Sequence, residues 1–358
     1  MDIENIIAQI KPLDDHARQM ARSRQDSLIK PPGSLGKIEE LSIQLAGITG
    51  DLTSRFEKKA IIIMCADNGV YDEGVSAAPQ VVTLMQALNF QKRITGVGVL
   101  SNLSKSEMVV IDIGINSETR SENFIDQKIR KGTRNIAREC AMTREEAVKA
   151  VEIGFDAVQK LHADGFSVIG TGEMGLGNTT TASLVLMALT GCSVDEATGK
   201  GAGLTDEAFR HKKKVVEKVF ERHRPDKNDP VGILEKVGGF DIAGLVGVYL
   251  GAAYYRLPVV IDGVISAAAA LLAFQWCEKT RCFMVPSHCS EEPGYRIAIE
   301  ALGMKPYFDL GMRLGEGTGC PFTFLLIDAA QMIINEMATY EEAAMDNSKI
   351  IDIRKDQG

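Results

Sequence analysis

The chain has 358 residues, a formal net charge of −8 at pH 7 and charged residues of both signs. This length can bury a generous core, either as one large domain with a smaller appendage or as two ordinary domains. The acidic balance argues against a nucleic-acid partner, and no uncharged run is long enough to cross a bilayer of roughly 30 Å.

The start of the chain is acidic and lacks the basic and apolar regions of a secretory signal, so we expect a cytoplasmic protein. Residues 14–27, 35–48 and 322–344 have helical patterns. These segments predict a small helical domain, built from residues 1–49 and 296–358. A large α/β nucleotide-binding domain is predicted over residues 50–295.

Short apolar runs recur between helical stretches in the middle of the chain, as is typical of buried parallel strands. They lie at residues 60–65, 108–113, 166–169, 258–261 and 282–285. The helix before the third run has Thr143 and Glu146 in capping-box spacing and Gly165 as a stop signal. The alternation predicts the α/β class, with a Rossmann-like, mostly parallel sheet flanked by helices.

Polar or glycine residues follow each apolar run. In a doubly wound sheet, the corresponding turns gather at the carboxyl edge, where ligands bind. We therefore expect one pocket to collect several of these side chains, which include Asp67, Asp112, Asp262, Gly263 and His288. His288 is interpreted as a residue that orients a loop, because no metal-ligand companion lies near it in the sequence.

Residues 170–175 match the pattern G-x-G-x-x-G between a predicted strand and a predicted helix. A dinucleotide site would also need an acidic residue after a second strand, and no strand is predicted before Asp195 and Glu196. The preferred interpretation is a loop whose backbone amides, with Asn178, Thr179 and Thr180, bind a phosphate at the positive end of the next helix.

A second glycine loop, residues 199–203, could close around the same anion, although ordinary turn chemistry would also explain it. The following run, residues 211–214, contains three lysines on a helix that should mostly face solvent. One of these lysines could turn inward and neutralise the phosphate. The seven cysteines have no metal-ligand spacing and are expected to be reduced thiols, so no metal site is predicted.

Two glutamates are bracketed by glycines. Glu316 lies in residues 313–319 (Arg-Leu-Gly-Glu-Gly-Thr-Gly), and Glu173 lies in residues 170–177. Glycines beside a carboxylate allow a ligand to approach the backbone closely, which favours a chemical role for Glu316. A helix-capping loop with an incidental glutamate is the alternative interpretation of this motif alone.

Five motifs together resemble a known enzyme family. They are residues 30–36 (Lys-Pro-Pro-Gly-Ser-Leu-Gly), 65–70 (Cys-Ala-Asp-Asn-Gly-Val), 172–175 (Gly-Glu-Met-Gly), 236–241 (Lys-Val-Gly-Gly-Phe-Asp) and 313–317 (Arg-Leu-Gly-Glu-Gly). In this order they resemble the nicotinate-nucleotide:dimethylbenzimidazole phosphoribosyltransferases of cobalamin lower-ligand assembly, over almost the whole chain. The resemblance implies a homodimer with a Rossmann-like domain and a small helical domain.

The resemblance also implies the reaction and the site. Phosphoribose would pass from nicotinate mononucleotide to 5,6-dimethylbenzimidazole or a related base, giving α-ribazole 5′-phosphate and nicotinate, without a cofactor. Glu316 would be the catalytic base, with Glu173 in an electrostatic, hydroxyl-binding or structural role. The implied nucleotide-site positions are Gly175, Asn178, Thr179, Thr180, Gly201, Gly203, Lys212, Gly263 and Ser290. Pro79, Gln86 and Leu314 match the region around the acceptor base.

The sequence leaves several alternatives open. Asp67, Asp112, Asp241 and Asp262 could contact ribose or brace loops, and bracing is the expectation for Asp241. Ala78 replaces the Ser or bulkier residue common in relatives, which leaves the preferred acceptor base open. A nicotinamide-dependent dehydrogenase and a non-catalytic nucleotide-binding module are the competing functions.

Overall fold

The protein is described by a computed structural model, which covers residues 3–119, 121 and 124–356. Within these residues the centre of the molecule is a six-stranded, all-parallel sheet with the order β3-β2-β1-β4-β5-β6. The strands are β1 (Lys59–Ala66), β2 (Glu107–Gly114), β3 (Ile125–Asp126), β4 (Val168–Met174), β5 (Val259–Ile261) and β6 (Met284–Pro286). The predicted fold class is confirmed.

Helices cover both faces of the sheet. Before β2 they are α1 (Ile3–Gln9), α2 (Asp15–Ser27), α3 (Lys37–Thr49), α4 (Val82–Gln91) and α5 (Gly96–Ser104). Between β3 and β5 they are α6 (Arg144–Ala163), α7 (Asn178–Thr190), α8 (Val194–Ala197), α9 (Asp206–His223), α10 (Pro230–Val237) and α11 (Phe240–Tyr254). After β5 they are α12 (Val264–Trp276), α13 (Pro293–Ala301) and α14 (Cys320–Glu336).

The apolar runs form central strands because both of their faces are buried. In β1, Ile62 and Met64 face one hydrophobic cluster, whereas Ile61 and Ile63 face the cluster on the other side. Each of these side chains is fully buried. Alternate residues of a strand point to opposite faces, so a continuous apolar run is what a strand covered on both sides requires.

The helices of the two chain ends pack together. Ala21 of α2, Ala46 of α3 and Ile334 of α14 form a separate small cluster. Asp14 caps α2 by accepting a hydrogen bond from the backbone N–H of Ala17 at 2.8 Å. The proposed domain boundary between residues 295 and 296 falls inside α13, which packs against α12. The outermost residues of the proposed small domain, 1–2 and 357–358, lie outside the described residues.

Helices α6 and α11 approach each other so closely that glycines line the contact. A Cβ atom on Gly154 of α6 would overlap the carbonyl oxygen of Gly244 of α11. A Cβ atom on Gly247 would overlap the carbonyl oxygen of Val151. The two helix backbones are therefore in direct contact beneath β1, without side chains between them.

Three local predictions differ from the structure. Residues 170–174 belong to β4 instead of a loop, because their backbone pairs with β1. The two-residue edge strand β3 has no apolar run and was not predicted. Helix α14 ends at Glu336, earlier than predicted, because residues 338–340 pair with the backbone at the end of α2 and just beyond it, through Ser27 and Ile29.

Candidate active site

The strand order reverses between β1 and β4, and ligands of open α/β sheets bind outside the carboxyl ends of the strands at such a point. Here Asp67 and Asn68 follow β1, and Glu173 lies at the end of β4. Gly175 comes next, and a Cβ atom there would overlap the carbonyl oxygen of Ala66. Glycine at this position therefore allows the chain to cross the end of β1.

The glycines of β4 have a packing role. A Cβ atom on Gly170 would lie 2.9 Å from Sγ of Cys320, and one on Gly172 would lie 2.9 Å from the carbonyl oxygen of Glu316. These glycines are two residues apart and so face the same side of the strand. They allow the turn around Glu316 to rest directly on β4. This finding corrects the predicted phosphate-wrapping loop over residues 170–174.

Glu316 lies in an unusual backbone turn. Gly315, Glu316 and Gly317 have φ angles of +79°, +61° and +86°. The left-handed region costs an ordinary L-residue about 1–2 kcal/mol, so surrounding contacts must hold Glu316 there. Asp262, directly after β5, accepts hydrogen bonds from the backbone N–H groups of Gly317 at 2.8 Å and Gly319 at 2.7 Å.

The Glu316 carboxyl group is buried with one oxygen unpaired. The residue is 8% exposed, and its Oε1 accepts a hydrogen bond of 2.8 Å from Nε2 of Gln86 on α4. Oε2 is buried and has no hydrogen-bond partner among the described residues. Burial raises the pKa of Glu316, and the bond from Gln86 opposes that shift. A raised pKa and a free oxygen suit a group that takes up a proton.

Glu173 is held in a buried carboxyl pair. Nδ2 of Asn178 donates hydrogen bonds to Oε2 of Glu173 and to Oδ2 of Asp241. Burial, and then the nearby Asp241, raise the pKa of Glu173 to about 8, whereas burial raises that of Asp241 to about 6. Glu173 is therefore mostly protonated at neutral pH. Its Oε1 also lies 3.4 Å from the backbone nitrogen of Glu316, which favours a structural role.

Lys212 is the inward-facing lysine of α9. Its side chain is fully buried, and Nζ donates to Oγ1 of Thr179 at 2.8 Å and to the carbonyl oxygen of Gly199 at 3.0 Å. Burial lowers its pKa to about 8. Oγ1 of Thr180, in the same first turn of α7, is buried without a partner in the described structure. A buried cation and a helix N-terminus thus lie together, as an anion site requires.

The second glycine loop approaches this cation, with one difference from the expectation. Gly201 lies beside Lys212 and Thr179, since a Cβ atom there would lie 3.7 Å from Nζ of Lys212. Its backbone N–H donates to Oε1 of Glu292 at 3.1 Å, so this amide is already engaged. Gly203 has φ +101°, and buried Ser290 accepts a 3.4 Å hydrogen bond from the backbone of Glu292.

The residues predicted near the acceptor base differ in their exposure and in their contacts with the turn around Glu316. Leu314 is 59% exposed, and a Cβ atom on Gly96 would lie 3.1 Å from its Cδ2. Gly263, predicted at the nucleotide site, also lies against this turn, because a Cβ atom there would be 3.5 Å from Cα of Gly315. Pro79 is exposed in the turn before α4.

The other aspartates at the sheet edge brace loops. Asp67 accepts hydrogen bonds of 2.7 Å from Oγ1 of Thr83 and from the backbone of Asn116. Asp112 pairs with Lys128 at 3.2 Å. Burial raises the pKa of both carboxyl groups, and their hydrogen bonds oppose the shift. These contacts favour the bracing interpretation over ribose binding.

Asp262 and His288, two of the side chains expected to gather at the carboxyl edge, come together there with Ser287. Nδ1 of His288 lies 3.0 Å from Oγ of Ser287 and 3.9 Å from Oδ1 of Asp262. Both neighbours meet the same ring nitrogen, so this is not the relay of a serine hydrolase, in which the serine and the aspartate meet different nitrogens. All three residues are buried, and their arrangement supports the Glu316 turn from behind.

Membrane-spanning helices and clusters of metal ligands are both absent from the described part of the chain. Over residues 3–119, 121 and 124–356, no helix combines the length and apolar character needed to traverse a membrane. Over the same residues, no three His, Cys, Asp or Glu side chains are grouped as ligands for a metal ion.

The chain is similar to known proteins of one enzyme family. A family model described as phosphoribosyltransferase matches residues 10–345. The nicotinate-nucleotide–dimethylbenzimidazole phosphoribosyltransferase of Clostridium perfringens is 48% identical over 99% of this chain and 98% of its own. The enzyme of that name from Ruminiclostridium cellulolyticum is 49% identical over 98% and 99%. The crystal structure of CobT from Thermus thermophilus is 36% identical and matches with a TM-score of 0.89, over 93% of this chain and 100% of that one. The chain therefore belongs to the nicotinate-nucleotide–dimethylbenzimidazole phosphoribosyltransferase family, as its sequence motifs indicated.

Proposed function

We propose that this phosphoribosyltransferase moves phosphoribose from nicotinate mononucleotide to 5,6-dimethylbenzimidazole or a related base, with Glu316 as the general base. The products would be α-ribazole 5′-phosphate, a component of the cobalamin lower ligand, and nicotinate. The observation that supports the role of Glu316 most is its buried carboxyl group, whose Oε2 has no hydrogen-bond partner among the described residues at the carboxyl edge of the sheet.

The chemistry needs one base. When the bond between C1′ of ribose and the pyridinium nitrogen breaks, its electron pair stays on nicotinate, so the leaving nitrogen becomes neutral without a proton. One nitrogen of the acceptor bonds to C1′ from the opposite face, which inverts the anomeric centre. The N–H proton on the other acceptor nitrogen passes to Glu316. A positioned base of this kind contributes about 10²- to 10⁴-fold in rate.

The two substrates would occupy separate parts of the carboxyl edge of the sheet. Lys212, Thr179 and the first turn of α7 would hold the phosphate, because a buried cation and the positive end of a helix favour an anion there. Gln86 and Leu314 would line the acceptor side, next to Glu316. Glu173 would brace the Glu316 turn as a neutral acid, with no electrostatic role required of it.

The direct test incubates the protein with nicotinate mononucleotide and 5,6-dimethylbenzimidazole and follows released nicotinate by chromatography. We expect nicotinate and α-ribazole 5′-phosphate to form in equal amounts, and none to form without the base. Binding without product would instead indicate a non-catalytic nucleotide-binding module. Running related benzimidazoles in parallel identifies the preferred acceptor.

A dehydrogenase is the weaker alternative. The G-x-G-x-x-G pattern that suggested it lies mostly inside β4, where its glycines face the Glu316 turn. A dinucleotide fingerprint needs those glycines in the turn that follows the strand. Titration with NAD(H) in a calorimeter should therefore give no binding heat. A measurable binding heat would instead support the dehydrogenase.

Replacing Lys212 by Met should raise KM for the nucleotide by about tenfold to a hundredfold and change kcat less, since a hydrogen bond to a charged group contributes about 1.5–3 kcal/mol. Lys213→Met is the matched control, because that neighbouring lysine pairs with the exposed Asp195 at 2.7 Å. Steady-state kinetics over a range of nucleotide concentrations separate the two parameters. Equal KM values for both variants would contradict the assignment of Lys212 to the phosphate.

The pKa of Lys212 adds a pH dependence. Burial lowers it to about 8 in the unliganded protein, so the cation is present below pH 8 and is lost as the pH rises through that value. Nucleotide affinity should fall over the same interval. The Lys212→Met variant should lack this component of the pH dependence.

We further propose a homodimer. Helices α4 and α5, their connection and the residue that precedes α4 expose five large apolar side chains, each between 53% and 64% exposed: Val81, Met85, Ile94, Val99 and Leu103. Exposed apolar groups of this density are typical of protein–protein contacts.

Light scattering should give twice the chain mass of 38.9 kDa, and Val99→Glu should lower the measured mass. Met20→Glu on α2, 50% exposed, is the control. A monomeric parent protein would refute the proposal.

A further inference from the structure

We propose that Asp262 is a positioning residue for Glu316, whose carboxylate fixes the turn 315–319 in the conformation that buries Glu316 beside Gln86. This inference rests on the proposed role of Glu316 as the base. Asp262 would set the position of Glu316 and would contact neither substrate.

The contact is a two-oxygen clamp. Oδ2 of Asp262 accepts from the N–H of Gly317 at 2.8 Å, and Oδ1 accepts from the N–H of Gly319 at 2.7 Å. Hydrogen bonds to an ionised acceptor are about twice as strong as neutral ones. Asp262 itself is held in place, because its backbone N–H donates to Oγ of Ser266 at 3.0 Å. The clamp therefore ties the turn to the end of β5.

The turn needs such an anchor. Glu316 is a non-glycine residue at φ +61°, between two glycines that also have positive φ angles. This conformation is unfavourable by about 1–2 kcal/mol for Glu316, so the turn would relax without compensating contacts. Within the turn, Oγ1 of Thr318 donates to the carbonyl oxygen of Gly315 at 2.8 Å. From outside the turn, the bond that Glu173 accepts from the Glu316 nitrogen is long at 3.4 Å. The two short bonds to Asp262 are the stronger restraint.

The surroundings keep the clamp tight. A Cβ atom on Gly319 would overlap Nδ1 of His288, and it would lie 2.5 Å from Oγ of Ser287 and 2.9 Å from Oδ1 of Asp262. The space between the turn and the clamp is thus filled. A small shift of Asp262 or of these neighbours must move the turn, because the atoms are in close contact and leave no empty space between them.

Asp262 also acts on Glu316 through its charge. The titratable groups near Asp262 are His288, Glu173, Glu316, Cys320, Tyr249 and Tyr295. Burial raises the pKa of Asp262, whereas His288 and the backbone amides lower it. The negative charge of Asp262 in turn raises the pKa of Glu316. Removing that charge should make Glu316 easier to ionise.

The test is Asp262→Asn, assayed for kcat, nucleotide KM and the pH profile. The variant keeps the side-chain shape but places an amide N–H₂ against one of the two backbone donors. We expect kcat to fall about tenfold to a hundredfold, as displaced catalytic groups do. KM should change little, because Lys212 and Thr179 are untouched. The acid limb of kcat/KM should move to lower pH, which a purely structural defect would not cause.

Two further variants make the result decisive. Gly319→Ala should lower kcat by pushing the turn while leaving the charge of Asp262, so its acid limb should stay in place. Its φ of −78° is ordinary for alanine, and it decides the question if Asp262→Asn does not fold. Asp229→Asn is the control, because Asp229 also accepts from a backbone amide, that of Gly232 at 3.0 Å, but at the remote start of α10. Nucleotide binding by calorimetry verifies folding.

Parental kcat and an unmoved acid limb in folded Asp262→Asn, or parental kcat in folded Gly319→Ala, would overturn the inference. Such a result would leave the general-base role intact as long as Glu316→Gln is inactive. If Glu316→Gln retains turnover, the proposed function of Glu316 fails first, whatever Asp262 does. The two failures are therefore distinguishable.

Discussion

Glu316→Gln is expected to lower kcat by about 10²- to 10⁴-fold, the range that a positioned general base supplies. The amide retains an oxygen for the hydrogen bond from Gln86 but cannot take up the proton of the acceptor. The fold should be unchanged, because the second carboxylate oxygen has no partner in the described structure to lose. Released nicotinate, measured at saturating concentrations of both substrates, gives kcat directly.

The matched control is Glu300→Gln, which makes the same chemical change on the exposed surface of α13. Parental turnover in Glu316→Gln would remove the general-base assignment. The pH profile gives an independent check. Since burial raises the pKa of Glu316, activity should require a pH above the ordinary glutamate range and should be lost as the pH falls through the raised value.

Gly247→Ala is expected to destabilise the protein by at least about 3 kcal/mol, at or above the upper end of the usual range for overpacked cores. The added Cβ would overlap the carbonyl oxygen of Val151, and neither α6 nor α11 has a flexible side chain at the contact that could give way. The free energy of unfolding, obtained from urea titration, measures the effect.

Gly251→Ala is the matched variant for this prediction. It lies one turn further along α11, where the added Cβ would meet Cβ of Val158 at 3.0 Å instead of overlapping a backbone atom. Both changes gain the same helix propensity, up to about 1 kcal/mol, so their difference isolates the steric term. Equal stability of the two variants would show that the helices can separate without cost.

Much of the fold was predictable because its signals are local. The five apolar runs predicted β1, β2, β4, β5 and β6, since a strand buried on both faces must be apolar at consecutive positions. The capping box of Thr143 and Glu146 forms as predicted, with hydrogen bonds of 3.1 and 2.7 Å. Gly165 follows the end of α6 with φ +83°, as its stop signal indicated. These features depend on neighbours within a few residues.

The parts of the site that depend on distant partners were harder to predict. Gly170 and Gly172 resemble a phosphate loop in sequence, but the turn that packs on them comes about 140 residues later. The helical pattern of α9 could suggest that one lysine turns inward, but not that Lys212 would meet Thr179. Nothing local indicated that Glu292 would engage the amide of Gly201. Such pairs become visible only once the sheet order is known.

The division of the site between exposed and buried residues has a consequence for how its chemistry can diversify. Leu314 and Pro79 are exposed, whereas Glu173, Asp241 and Asp262 are buried among mutual contacts. Substitutions at surface positions usually change stability by no more than about 0.5 kcal/mol. In the proposed site, substitutions at Leu314 and Pro79 can therefore alter the acceptor side at little cost in stability, whereas substitutions at the buried acids would disturb the turn that carries Glu316.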